Sequence, residues 1–482
     1  MRAMRCAIAF LLLVCPSLAH ADEKLETEAG IYVGSTPRPA QQPLTLRRGP
    51  HLLIDDQLIE TSNNLRRVVN RPSRDVAHTN PIITGKGDGC FQPYMTVLRN
   101  DANSRFRIWY GVPGASKSTS ESRLAYMESD DGIAWKRPHR VLDTPFIQFG
   151  VSVLREQGGY HFAWWAPAVP KDAPPGMKMA ESSDGLTWKQ ITTPGAASDV
   201  VLPHNHDINS IYRDPIRNRY IAIASTYVED PAWTGQRRVT TQAVSDDLLH
   251  WSKPWRILVP DPKLEHDQTQ FYAMDGFIQR GDLLIGMVKV LRDDLKADDP
   301  PDPPDAYGIG YTTLAWSRDG EHWTRDREPF LDRDPRQGAW DHAHAWIDEQ
   351  VAVGDATYLY YAGYARGHKV NRFEERQIGL LKMKRDRYVA REAESGTFTT
   401  PLLKIEGDAI ALNVDASRGE ARVQVLDDSG NALPGFGRAD CDPIRGDSLD
   451  AVVKWKGGKL PRTPVRLGFA LKDARLFAIE VR

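Results

Sequence analysis

Hydrophobic and polar positions alternate with a period of two in short runs along most of the chain, as in Ser122-Arg123-Leu124-Ala125-Tyr126-Met127 and Tyr311-Thr312-Thr313-Leu314-Ala315-Trp316. Such alternation predicts half-buried β-strands, and the 3.6-residue period of amphipathic helices is nearly absent. Four runs lead into one shared pattern: Ser129-Asp130-Asp131-Gly132-Ile133-Ala134-Trp135, Ser182-Ser183-Asp184-Gly185-Leu186-Thr187-Trp188, Ser245-Asp246-Asp247-Leu248-Leu249-His250-Trp251 and Ser317-Arg318-Asp319-Gly320-Glu321-His322-Trp323. An aspartate that accepts backbone N–H bonds, a glycine free to take positive φ and a tryptophan that packs into the neighbouring layer describe a hairpin turn. Leu248 replaces the glycine in the third copy, so that turn is expected to differ. A decayed fifth copy is expected at Met383-Lys384-Arg385-Asp386-Arg387-Tyr388, after the strand Gln377-Ile378-Gly379-Leu380-Leu381.

The terminal aromatic residues of successive copies are separated by 53, 63, 72 and 65 residues, room for four strands and variable loops in each repeat. Ahead of each turn stands another strand pair, clearest as His206-Asp207-Ile208-Asn209-Ser210-Ile211-Tyr212 followed by Tyr220-Ile221-Ala222-Ile223-Ala224. The fold expected is all-β: a five-bladed β-propeller over residues 49–394, then a small C-terminal β-sandwich over 395–482, where short alternating strands continue without the aspartate-glycine turns. The stretch from Asp298 to Asp305, rich in proline and aspartate, reads as an exposed polyproline-like loop in the fourth blade, with a lid as the sharper alternative.

Residues 1–21 have a basic start, a short apolar run and Ala19-His20-Ala21, the form of a cleavable secretory signal, with residues 22–48 as an N-terminal extension. A secreted or periplasmic protein is therefore expected, and no later segment reaches the roughly 20 apolar residues of a membrane span. The formal charge of -2 gives no basic surplus for nucleic acid or an anionic membrane. After the signal only Cys90 and Cys441 remain, too few for a disulfide framework or a cysteine-rich metal site. One bridge between them stays open as an alternative. No cofactor is expected and no metal site is assigned.

On these motifs the chain resembles the five-bladed glycoside hydrolases of families 32, 43, 68 and 130, and most of all secreted proteins loosely grouped with family 32. The resemblance is carried by Leu52-Leu53-Ile54-Asp55-Asp56-Gln57-Leu58-Ile59-Glu60, by the turn at 317–320, and by Gly435-Phe436 through Asp440-Cys441-Asp442-Pro443-Ile444-Arg445-Gly446-Asp447. It implies a glycosidase acting on a poly- or oligosaccharide. The Trp-x-Asn-Asp-Pro-Asn-Gly motif of family 32 does not occur here, and Arg213-Asp214-Pro215, though like that family's Arg-Asp-Pro, sits between two strands as a hairpin turn.

In such propellers the substrate sits where the innermost strands begin, so polar residues there are the candidates. Glycoside hydrolysis needs two carboxyl groups, and Asp207 with Asp88 or Asp267 are the catalytic candidates. His206, Asn209, Gln92, Gln270, Asp341, His342, His344, Glu375 and Trp165 are the substrate-binding candidates, and the rim loops add Glu229, Asp293 and Glu374. In Trp340-Asp341-His342-Ala343-His344-Ala345-Trp346, strand alternation puts His342, His344 and Trp346 on one face, able to contact substrate, a metal or an anion. Trp109, Trp164 and Tyr94 are further sugar-stacking candidates. Phosphorolysis or elimination using the histidines, and carbohydrate binding without catalysis, remain the alternatives to hydrolysis.

Overall fold

Four turns of one geometry punctuate the chain. In the first, Asp131 Oδ1 accepts the Ile133 and Ala134 N–H groups at 2.8 Å each, and Ser129 Oγ accepts the Gly132 N–H at 2.9 Å. The same bonds recur around Asp184, Asp247 and Asp319. Gly132, Gly185 and Gly320 take φ of 74°, 76° and 71°, and Leu248 takes 69°. The third turn therefore does not differ, contrary to expectation. Burial of the Leu248 side chain against Met177, Met179, Leu202 and Ile211 offsets the cost of its left-handed backbone.

The computed structural model describes residues 30–31, 42–100, 102–115, 121–145, 147, 149–168, 173–192, 198–265, 268–297 and 307–482. The expected secretory signal and the proline-rich segment at 298–305 lie outside them. The chain is nearly all β; helix among the described residues is limited to Gly85–Asp88 and the 3-10 turn Arg438–Asp440. None is long and apolar enough to cross a membrane.

The strands come in antiparallel meanders that follow the chain. Gln92–Arg99, Phe106–Pro113, Ser122–Ser129 and Arg140–Val141 form one sheet. Phe149–Glu156, Gly159–Ala166, Gly176–Ser182 and Lys189–Gln190 form the next, with Leu202–Pro203 added. Asn209–Asp214, Arg219–Val228, Arg237–Ser245 and Trp255–Leu258 form a third. Thr269–Arg280, Leu283–Lys296, Tyr307–Ser317 and Thr324–Leu331 join His344–Val353, Ala356–Tyr364 and Arg376–Lys384 through one parallel pairing, Gly310 with His344. The first strand of each meander packs on the first strand of the next, and His344–Val353 returns to Gln92–Arg99. Turn carbonyls tie neighbours together: Trp109 Nε1 donates to Gly185 O, Tyr360 Oη to Gly132 O and Gln242 Nε2 to Gly320 O.

At the middle of this ring Lys289 is fully buried between Asp275, at 2.7 Å, and Asp348. Ser210 and Tyr212 from another meander donate to the same Asp275 carboxylate.

The decayed fifth copy is not a blade turn. After Arg385–Arg387 the chain leaves its meander, because Val389–Thr399 pairs with Arg466–Val481 and with Thr61–Asn63 and Arg66–Val69. The exposed side of Arg376–Lys384 is covered by an earlier segment, through Ser73 opposite Lys382, Ile83 opposite Ile378, and side-chain bonds from His78 and Asn80 to the Leu380 carbonyl. The C-terminal region holds a seven-stranded sheet, built around the long, register-broken strands Ile410–Leu426 and Arg466–Val481, and a two-stranded sheet of Leu44–Leu46 with Leu403–Ile405. The seven-stranded sheet includes Gly49–Leu52 and Val389–Thr399, so residue 395 lies inside one of its strands. Cys90 and Cys441 are both free and buried.

Candidate functional site

Asn205, His206 and Asp207 lie on the loop entering the strand Asn209–Asp214, and that loop forms one wall of a cleft of about 320 Å³. Trp165, Tyr227, Arg238 and Tyr272 line it from three meanders, His368, Lys369 and Arg372 from the loop after Ala356–Tyr364, and Arg376 from the start of the strand that follows.

Asp207 Oδ1 stands 2.9 Å from His206 Nε2, and Arg238 Nε lies 3.0 Å from the same ring nitrogen. Burial alone raises the Asp207 carboxyl, but the adjoining His206 and the Arg238 charge outweigh it and hold the group below the usual carboxylate range. Burial lowers His206 more than Asp207 raises it. At neutral pH the pair is thus a carboxylate beside a neutral imidazole. Arg238 lies between the Tyr227 and Tyr272 rings, 4.9 Å from each centroid. Its Nη1 donates to Gln270 Oε1 at 2.8 Å, and Gln270 Nε2 donates to Asp293 Oδ2 at 3.0 Å. Burial raises Asp293, yet His368, Arg238 and Gln270 hold it down at about 2. Burial, with Arg376 and Arg238 nearby, brings His368 down to about 4 despite that carboxylate.

The candidates therefore separate. Asp207, His206 and Trp165 line the cleft, Gln270 anchors its arginine, and Asn209 is buried beneath it beside His204. Asp88 is spent elsewhere: Arg137 grips both its oxygens at 2.6 and 2.9 Å, and the Thr84 N–H donates to it at 2.8 Å. Asp267 lies outside the described residues. Gln92 opens its strand opposite Gly111. Glu375 is held by Arg366 and Asn371. Asp214 accepts the Ile216 and Arg217 N–H groups of its hairpin turn.

The Trp340–Trp346 segment does not present one face. Its strand begins only at His344, so alternation does not reach His342, whose Nδ1 lies 2.8 Å from Asp334 O. His344 is fully buried, packed edge-on to Trp346 and tilted against Tyr364 and His368. Asp341 accepts from Arg74 and Tyr361 at the edge of a second depression, of about 530 Å³. That depression is wider, but its charges cancel within it, Asp341 against Arg74 and Asp334 against Arg336. Trp109, Trp164 and Tyr94 are buried in packing.

The basic residues of the cleft were not among the expected site residues. Their signal lies in the sequence all the same: Arg366, His368, Lys369, Arg372 and Arg376 crowd into residues 366–376. Among the described residues no three His, Cys, Asp or Glu side chains are grouped to share a metal ion.

No protein-family model matches the chain, and no curated protein matches it. Among solved structures it is similar to a thermostable family-43 glycoside hydrolase, with 15% identity and a TM-score of 0.46 over 65% of this chain and 96% of that one. It is also similar to the β-1,2-mannobiose phosphorylase of Listeria innocua, with 13% identity and a TM-score of 0.42 over 67% of this chain and 97% of that one. A third is the family-32 β-fructofuranosidase of Bombyx mori, with 9% identity and a TM-score of 0.40 over 80% and 90% of the two chains.

Proposed function

We propose that the chain is an exported carbohydrate-active enzyme, a five-bladed propeller braced by its C-terminal β module, that breaks glycosidic bonds in the cleft around Asp207. The observation that carries the reading is the carboxylate itself: Asp207 faces a cleft walled by Trp165, Tyr227 and Tyr272 and stays ionised there despite its burial. Ring faces of this kind match the apolar faces of sugars, and an ionised, partly desolvated carboxylate is suited to activating water or attacking an anomeric carbon. Asp293, also ionised and joined to the same Arg238, is the second carboxylate of the network.

The cationic lining favours a second reading, in which the cleft handles an anion and the bond is broken by phosphorolysis or elimination. Both readings use Asp207. Asp207→Asn, assayed on polysaccharides and aryl glycosides, is expected to lose about 10²- to 10⁴-fold in rate. Undiminished turnover removes Asp207 from the mechanism. Phosphate-dependent turnover, or an unsaturated product absorbing in the ultraviolet, replaces hydrolysis with the second reading.

A further inference from the structure

Four cationic side chains line the cleft, Arg238, Lys369, Arg372 and Arg376, against one carboxylate, Asp207. The excess is local, since the whole chain has a formal charge of -2. Arg238 is accounted for by His206, Gln270 and Asp293. Arg376 is not: at 3% exposure it donates to the His368 and Phe91 carbonyls, at 2.8 and 3.4 Å, lies over the Tyr364 and Phe91 rings, and forms no ion pair among the described residues. Its Nε is buried with no acceptor among the described residues. A buried guanidinium without a counter-ion is costly, and a neighbouring like charge makes it more so. Arg372 is that neighbour: burial first, then the charge of Arg376, lowers its own proton affinity. Glu375, the acid next to Arg376 in sequence, is already held by Arg366.

We infer that the saccharide bound here carries its own oxyanion, a carboxylate or sulfate on the sugar, and that Arg372 and Arg376 receive it. The inference rests on the cleft being the saccharide site. Guanidinium forks match planar or tetrahedral oxyanions through paired N–H bonds. A neutral sugar would leave both charges uncompensated.

The test is calorimetric titration of the full chain with four probes: oligogalacturonates, sulfated galactose oligosaccharides, neutral galactose oligosaccharides of the same length, and inorganic phosphate. Charged oligosaccharides are expected to bind at least about 10-fold more tightly than neutral ones, with a preference that falls as salt is added. Arg372→Gln removes a half-buried side chain with no bond to another described residue, so folding is not at issue. It is expected to weaken the charged ligands by about 10- to 100-fold and leave the neutral ones unchanged.

Equal or tighter binding of neutral oligosaccharides overturns the inference, as does an Arg372→Gln loss common to all sugars. Phosphate binding that depends on Arg372, without any preference for charged sugars, overturns it in favour of a free anion. If neutral sugars bind and are turned over through Asp207, this inference fails while the enzymatic reading stands. If no saccharide binds at all, both fail.

Discussion

Replacing Lys289 with methionine tests how the ring of first strands is held together. The ammonium is fully buried, 2.7 Å from Asp275, bonded to Asp348 and 4.9 Å from the Tyr94 ring centroid. Burial, more than any neighbour, pushes Asp348 up to about 8, so near neutrality it holds a proton and Lys289 answers chiefly to Asp275. Methionine keeps the length of the side chain and removes the charge. Taking one partner from a buried pair costs about 3–5 kcal/mol, because the remaining charge is left in a low-dielectric interior. Asp275 receives Ser210 and Tyr212 from another meander, so the loss weakens the joint between meanders as well as one strand pair. Urea denaturation followed by tryptophan fluorescence at neutral pH measures the loss. A variant within about 1 kcal/mol of wild type refutes the reasoning.

Two further predictions concern stability. Leu248 holds positive φ in a turn where the other copies use glycine, so Leu248→Gly should be about 1–2 kcal/mol more stable than Leu248→Ala, although both lose the buried leucine; an alanine variant at least as stable would show that the backbone carries no such cost. His368 and His204 are both brought down to about 4 by burial, below their unfolded value near 6.5. The unfolded chain therefore takes up protons first, and stability is lost as pH falls from about 6.5 towards 4, by up to about 3 kcal/mol for each group. His368→Gln should flatten part of that slope in thermal melts, and melting curves that stay parallel to wild type at every pH would contradict it.

The repeated turns were legible because their bonds are local, an aspartate reaching N–H groups two and three residues on. Leu248 was misread because its backbone conformation is offset by packing against distant residues. The segment around Ser73–Ile83 has no copy elsewhere in the chain, and its place beside Arg376–Lys384 depends on a partner about 300 residues away. The departure of Val389–Thr399 to the C-terminal sheet is likewise a choice of distant partner. At the site, His206 and Asp207 were found because they precede an evident inner strand. Arg238, Tyr272 and Arg376 were missed because which strand ends share a rim is a property of the closed ring, not of any one segment.

The most direct measurement is a crystal structure of Asp207→Asn with an oligogalacturonate bound. The account predicts a sugar ring against Trp165 or Tyr227, its glycosidic bond facing residue 207 and its carboxylate on Arg372 and Arg376. A saccharide seated instead in the depression beside Trp340 and Asp341, with the cleft bare, would contradict it.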